Sequence, residues 1–160
     1  MTRKVRILLF IGVFVFGGIL INQKYLTLYA NYKLNWEFYV PKPLEINTVI
    51  NTRYGFPNEG ETYYVLEYSD QKTSKMKEQN DWKPINEKSI DTVSKLINNF
   101  QSDTININKN PKSDIQRTFH ENPVEYSTND KYFYRLEDNS YLLAILNVEN
   151  QKIFVMEWIQ

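Results

Sequence analysis

The chain has 160 residues, 42% hydrophobic, 24% charged and 15% aromatic, with nineteen Lys and Arg balancing nineteen Asp and Glu. That composition excludes a disordered tail, a collagen-like or low-complexity chain and a generic polyanion binder. The absence of cysteine excludes a disulfide scaffold and a cysteine-bound metal centre.

In chain order the first signal is a cationic start. Arg3, Lys4 and Arg6 precede an uncharged run from Ile7 to Gln23, apolar as far as Ile21 apart from three glycines. A hydrocarbon core about 30 Å thick needs roughly 20 helical residues. The seventeen here reach that length if Lys24 snorkels and the segment to Tyr29 continues the span. The expected organisation is a cytoplasmic tail over 1–6, a transmembrane helix over 7–29, a juxtamembrane segment over 30–43 and an extracytoplasmic domain over 44–160. A cleaved signal peptide is the competing reading, and it needs a small-x-small site. Only Ala30 is small there, with Leu28 in the other recognition position.

Tyr25, Tyr29, Tyr32 and Trp36 follow at spacings of four, three and four, along one face of a continuing helix. Two readings fit that stripe: rings at the headgroup level, or the packing face of a helix on the domain. Pro41 and Pro43 close any helix here. The positive-inside bias places the N-terminus in the cytoplasm and the C-terminal domain outside the cell membrane. Heavy use of Asn, Ile, Lys and Tyr with only two alanines, Ala30 and Ala144, suggests an AT-rich coding bias.

Beyond Pro43 no repeat or linker divides the chain, and its length suffices for one core. Trp36–Val40, Leu44–Ile50 and Thr62–Tyr68 are the first segments, and Tyr63, Tyr64, Val65, Leu66 and Tyr68 make the last a clear strand. Between the second and third lies a turn-rich loop, Arg53 to Glu61, with Gly55, Pro57, Asn58 and Gly60. Lys72, Lys75, Lys77 and Lys83 read as a solvated basic loop. A helix capped by Asn86 follows, with Ile90, Val93, Ile97 and Phe100 on one stripe. A short helical turn over Ser113–His120 is a weaker signal.

The C-terminus reads as a meander: Lys131–Glu137, Tyr141–Asn147 and Lys152–Ile159, joined by turn-forming residues. The middle strand is apolar throughout, which places it centrally and covers both its faces. Arg135, Glu137 and Glu157 are expected to point outward. The predicted fold is α+β, one main helix on a five- to six-stranded antiparallel sheet.

Chemistry is sparsely signposted. The single histidine, His120, reads as a partly exposed loop residue, and no serine lies in a nucleophile elbow. Glu59, Glu61, Glu67 and Asp70 are the only carboxylates grouped for a cation, and they lack calcium-loop spacing. Gly55 and Gly60 alone cannot build a phosphate loop, and no basic stripe suits a nucleic acid. No catalytic residue, metal ligand or cofactor is assigned.

Twelve tyrosines stand out, because tyrosine offers large contact area at low entropic cost. Tyr64, Tyr134 and Tyr141 are expected to fill the core. Arg53, Tyr54, Phe56, Glu61 and Tyr63 are the candidate binding residues, charge and aromatic surface on an exposed turn.

The cationic start and single anchor, followed by a Tyr/Asn-rich domain with Trp-Glu-Phe-Tyr-Val-Pro-Lys-Pro and Tyr-Gly-Phe-Pro-Asn-Glu-Gly-Glu, resemble small single-pass membrane-anchored orphan proteins of bacilli and related low-GC Gram-positive bacteria. The resemblance is architectural and implies no activity. The expected function is a membrane-anchored, extracytoplasmic, non-enzymatic binding or accessory domain with a protein or cell-envelope partner. An immunity or inhibitor protein against a secreted toxin is the alternative, and a carboxylate-dependent envelope hydrolase is the enzyme reading.

Overall fold

The computed structural model describes residues 26–53, 59–108 and 112–160. The expected tail and most of the expected span, 1–25, lie outside the described residues. No helix among the described residues is long and apolar enough to cross a membrane. The chain divides into two compact units, residues 1–42 and 43–160.

In the first unit, residues 26–36 form helix α1. It stops where Glu37 takes a left-handed backbone (φ 49°), with the Glu37 N–H donating to Lys33 O at 3.2 Å and the Phe38 N–H to Tyr32 O at 3.0 Å. The helix therefore ends before Pro41, and Trp36–Val40 is a helix end and an irregular run rather than a strand. Tyr32, Trp36, Phe38 and Val40 are buried, and the Tyr32 and Phe38 rings pack 6.0 Å apart. Of the aromatic stripe, Tyr32 and Trp36 are thus buried side chains, while Tyr25 lies outside the described residues.

The second unit is α+β. Its strands are β1 (Glu45–Asn51), β2 (Gly60–Glu67), β3 (Lys83–Pro84), β4 (Lys131–Glu137), β5 (Ser140–Asn147) and β6 (Lys152–Ile159). Its helices are α2 (Asp70–Lys77), α3 (Ile90–Ile107) and α4 (Lys112–Glu121). One antiparallel sheet runs β1-β2-β6-β5-β4-β3. The C-terminal meander forms as predicted, but its last strand is buried on both faces rather than alternating, because it inserts between β5 and the early strand β2. Leu142 to Leu146 are fully buried, as a strand covered on both faces requires.

The main core lies between the sheet and α3 and α4. Tyr63, Val65, Leu143, Ile145, Phe154 and Met156 meet Val93, Ile97 and Phe100 of α3 and Phe119 of α4. The Phe100 and Phe119 rings meet edge-on at 6.1 Å. On the other sheet face Leu66, Leu142, Ala144, Leu146, Ile153 and Val155 are buried too. Tyr64 is buried, whereas Tyr134 and Tyr141 are half-buried against the core.

Helix α3 starts at Ile90 with Ser89 as its N-cap, so Asn86 caps the preceding turn rather than the helix itself. Its Oδ1 accepts the Lys88 N–H at 3.0 Å, while its own N–H donates to Ser89 Oγ at 2.9 Å. Asp130 holds the sheet's far side together. Its carboxylate accepts the Ser127 N–H at 2.7 Å and the Val148 N–H at 2.9 Å, and its carbonyl accepts the Ile85 N–H at 2.9 Å.

Three further expectations change. Lys72, Lys75 and Lys77 belong to α2, which buries Thr73 and Met76; with so few inward residues its polar sequence carries little helical periodicity. The weak turn before His120 is the ten-residue helix α4, its inward side being Ile115 and Phe119. Glu157 is 1% exposed rather than outward.

Burial pushes the Tyr63 phenol up, with help from Glu125. Burial likewise raises Tyr141, seconded by Asp103, Tyr134 and Glu61. Because both folded-state values lie above the ordinary 10.0, their contribution to stability is complete below that pH. It is lost as pH rises towards the folded-state values. An alkaline titration is expected to show a tyrosine fraction that ionises only as the far-ultraviolet dichroism collapses. All twelve tyrosines ionising in one step with the fold intact would contradict this.

Candidate functional site

Gly60 sets the close approach between Thr52 and Glu61, one of the predicted binding residues. Its φ of +132° suits only glycine, and a Cβ there would sit 2.9 Å from Thr52 Oγ1. That approach lets the Glu61 N–H donate to Thr52 Oγ1 at 2.8 Å and the Thr52 N–H to Glu61 O at 2.9 Å. The Thr52 hydroxyl also donates to the Glu61 carboxylate, and Asn108 Nδ2 donates to it at 3.3 Å.

Glu61 is 3% exposed, so its charge is held by donors inside the fold. Tyr63, two residues on, is fully buried; its hydroxyl donates to Asn122 O at 3.1 Å and its ring lies 6.0 Å from Phe119. Arg53 turns to the opposite sheet face. There its Nη2 stands 3.1 Å from Glu157 Oε2, with side chains 9% and 1% exposed, and Thr62 Oγ1 donates to the same oxygen at 3.4 Å. Arg53, Glu61 and Tyr63 therefore present no joint outward surface. Tyr54 and Phe56 lie outside the described residues.

An open groove occurs elsewhere, between α3 and α4, with a volume of about 540 Å³. Ile97, Ile105, Phe119 and Val124 make its apolar walls, and Asn98, Gln101, Ser102, Gln116, His120 and Tyr126 its polar ones. The rim holds amides, hydroxyls and one exposed imidazole rather than fixed charge. Such a surface orients a partner by hydrogen bonds around an apolar contact. Its residues come from two helices and the segment after α4. No local motif announces it, although Ile115 and Phe119, four apart, hint that α4 packs inward.

Two smaller notches flank the sheet. Thr52, Glu59, Gly60, Glu61, Asn108 and Trp158 line one of about 250 Å³. The other, about 200 Å³, gathers Glu45, Glu67, Glu121 and Glu125 around Lys152. Lys152 Nζ pairs with Glu67 at 3.4 Å, and Asn150 Nδ2 donates to Glu125 at 2.8 Å. Of the carboxylates grouped in sequence, Glu59 and Glu61 thus part from Glu67, which lies at the other end of β2. Among the described residues no group of three or more His, Cys, Asp and Glu is placed to hold a metal ion.

No family model, curated protein or solved structure matches the chain.

Proposed function

We propose that this chain is a membrane-anchored binding domain that faces the outside of the cell and engages a protein or envelope component without catalysing a reaction. The observation that carries the reading is the groove between α3 and α4. Its volume of about 540 Å³ falls in the range of ligand-sized clefts. Its apolar walls and uncharged polar rim suit recognition, where desolvated apolar contact supplies affinity and hydrogen bonds supply orientation. The cationic start and the uncharged run from Ile7 to Gln23 support retention at the membrane with the domain outside. Architecture at this level is what small single-pass proteins of low-GC Gram-positive bacteria display.

In cells producing the chain, it is expected in the membrane fraction after an alkaline wash, and protease added to intact protoplasts should degrade residues 43–160. Ser102 is exposed at the groove, so Ser102→Arg should keep the unfolding temperature while abolishing in-cell cross-links formed from the groove. Release into the medium, full protection from protease, or cross-links unchanged by Ser102→Arg would each count against the reading.

A further inference from the structure

Three of the four rows spaced by four residues along helix α1 are of different character, and the fourth holds Tyr29 and Lys33. Leu28, Tyr32 and Trp36 are buried, at 9%, 0% and 1% exposure. Thr27, Asn31 and Asn35 form a polar ridge. Leu26, Ala30 and Leu34 form an apolar ridge whose ends face out, Leu26 at 52% and Leu34 at 79% exposure. A helix on a water-surrounded domain needs one apolar stripe and a polar remainder, and the second apolar ridge has no place in that scheme.

Its surroundings indicate what covers it. Lys33 Nζ stands 5.9 Å from the ring centroid of Tyr29 and 5.8 Å from that of Tyr39, and Tyr39 is itself 44% exposed. Of the six large hydrophobic side chains exposed among the described residues, Leu26, Leu34 and Tyr39 fall within residues 26–42, so the apolar exposure is concentrated there. A lysine set between tyrosine rings beside leucines matches the bilayer boundary, with stems and rings at the acyl edge and the ammonium among phosphates.

We propose that this outward face of residues 26–42 docks on an anionic lipid surface, holding α1 against the membrane. The inference rests on the anchored reading above. The uncharged run ends at Gln23, three residues before Leu26, which delivers the ridge to the interface. Charge agrees: on that side of the span residues 24–42 carry Lys24, Lys33 and Lys42 against the single acid Glu37, whereas residues 43–160 carry thirteen Lys or Arg against eighteen acids. The cationic part thus favours an anionic surface. A second copy of the ridge is the competing occupant, and facing it would bring two Lys33 ammonium groups together, a like-charge contact. An apolar ridge with a flanking lysine is also the composition of helices that lie in the interface plane.

The chain has no cysteine, so single Leu34→Cys, Asn35→Cys and Leu136→Cys variants can each carry one environment-sensitive fluorophore. The full-length chain is reconstituted in vesicles of phosphatidylcholine and phosphatidylglycerol, some containing a headgroup nitroxide lipid. The label at Leu34 is expected to shift blue and be quenched by the nitroxide. Labels at Asn35, on the neighbouring polar ridge, and at Leu136, in the second unit, are expected to do neither. Lys33→Glu should weaken the quenching at Leu34. A chain that floats with the vesicles while Leu34 reads water overturns the docking and leaves the anchor standing. Equal quenching at Leu34 and Asn35, or Leu34–Leu34 cross-linking without quenching, overturns it as well. A chain that does not float removes the anchor and the docking with it.

Discussion

Replacing Arg53 with Met is expected to cost the second unit about 3–5 kcal/mol, the loss that follows when one member of a buried ion pair is removed. The guanidinium lies 3.1 Å from Glu157 Oε2, and the Glu157 side chain is 1% exposed. In the low effective dielectric of that site a carboxylate that has lost its guanidinium is far costlier than at the surface. The pair itself is imperfect, because Nη2 approaches Oε2 at 3.1 Å without the alignment of a hydrogen bond, and Nε has no acceptor among the described residues. Its net value over an apolar pair is therefore small. Arg53→Met combined with Glu157→Leu should recover most of the loss, to within about 1 kcal/mol of the parent. Urea unfolding of the two single variants and the double variant measures this cycle. A single-variant loss below about 1 kcal/mol would show that the pair is solvated in solution.

Leu143→Ala is expected to cost about 2–5 kcal/mol, the usual range for a leucine cut to alanine in a packed core. Leu143 is fully buried, sits on central strand β5 between Tyr134 and Met156 of its neighbours, and faces the cluster with α3. Its strand is hydrogen-bonded on both sides, so the backbone has little freedom to close the cavity. Leu136→Ala is the control: Leu136 is 57% exposed, and its replacement should stay within about 0.5 kcal/mol. Equal small losses at both positions would place β5 outside the core.

The segments with a clean period were legible in the sequence. The apolar run Tyr141–Leu146 and the strand-like segments on either side of it specify three adjacent antiparallel strands, because a short β-prone run bounded by turn residues is legible locally; that β6 is buried on both faces was not. Ile90, Val93, Ile97 and Phe100 likewise specify α3, since one stripe at helical spacing is buried whatever it packs on. Helix α2 was not legible. Thr73 and Met76 are its only buried residues, so its position depends on what those two side chains meet.

The candidate binding residues show the same division at a finer scale. Arg53, Glu61 and Tyr63 read as surface because charge and turn residues usually belong there. Glu157, 104 positions after Arg53, supplies the counter-charge that lets the Arg53 side chain be nine-tenths covered, and Asn122 supplies the acceptor for the Tyr63 hydroxyl. Local pattern carries no trace of such partners. The sequence by itself determined the α+β class, the meander and the main helix, each a matter of short-range pattern. Only the tertiary structure decided that β6 enters beside β2, that a charged pair is buried there, and that α3 and α4 frame a groove, because each depends on contacts between residues far apart in the chain.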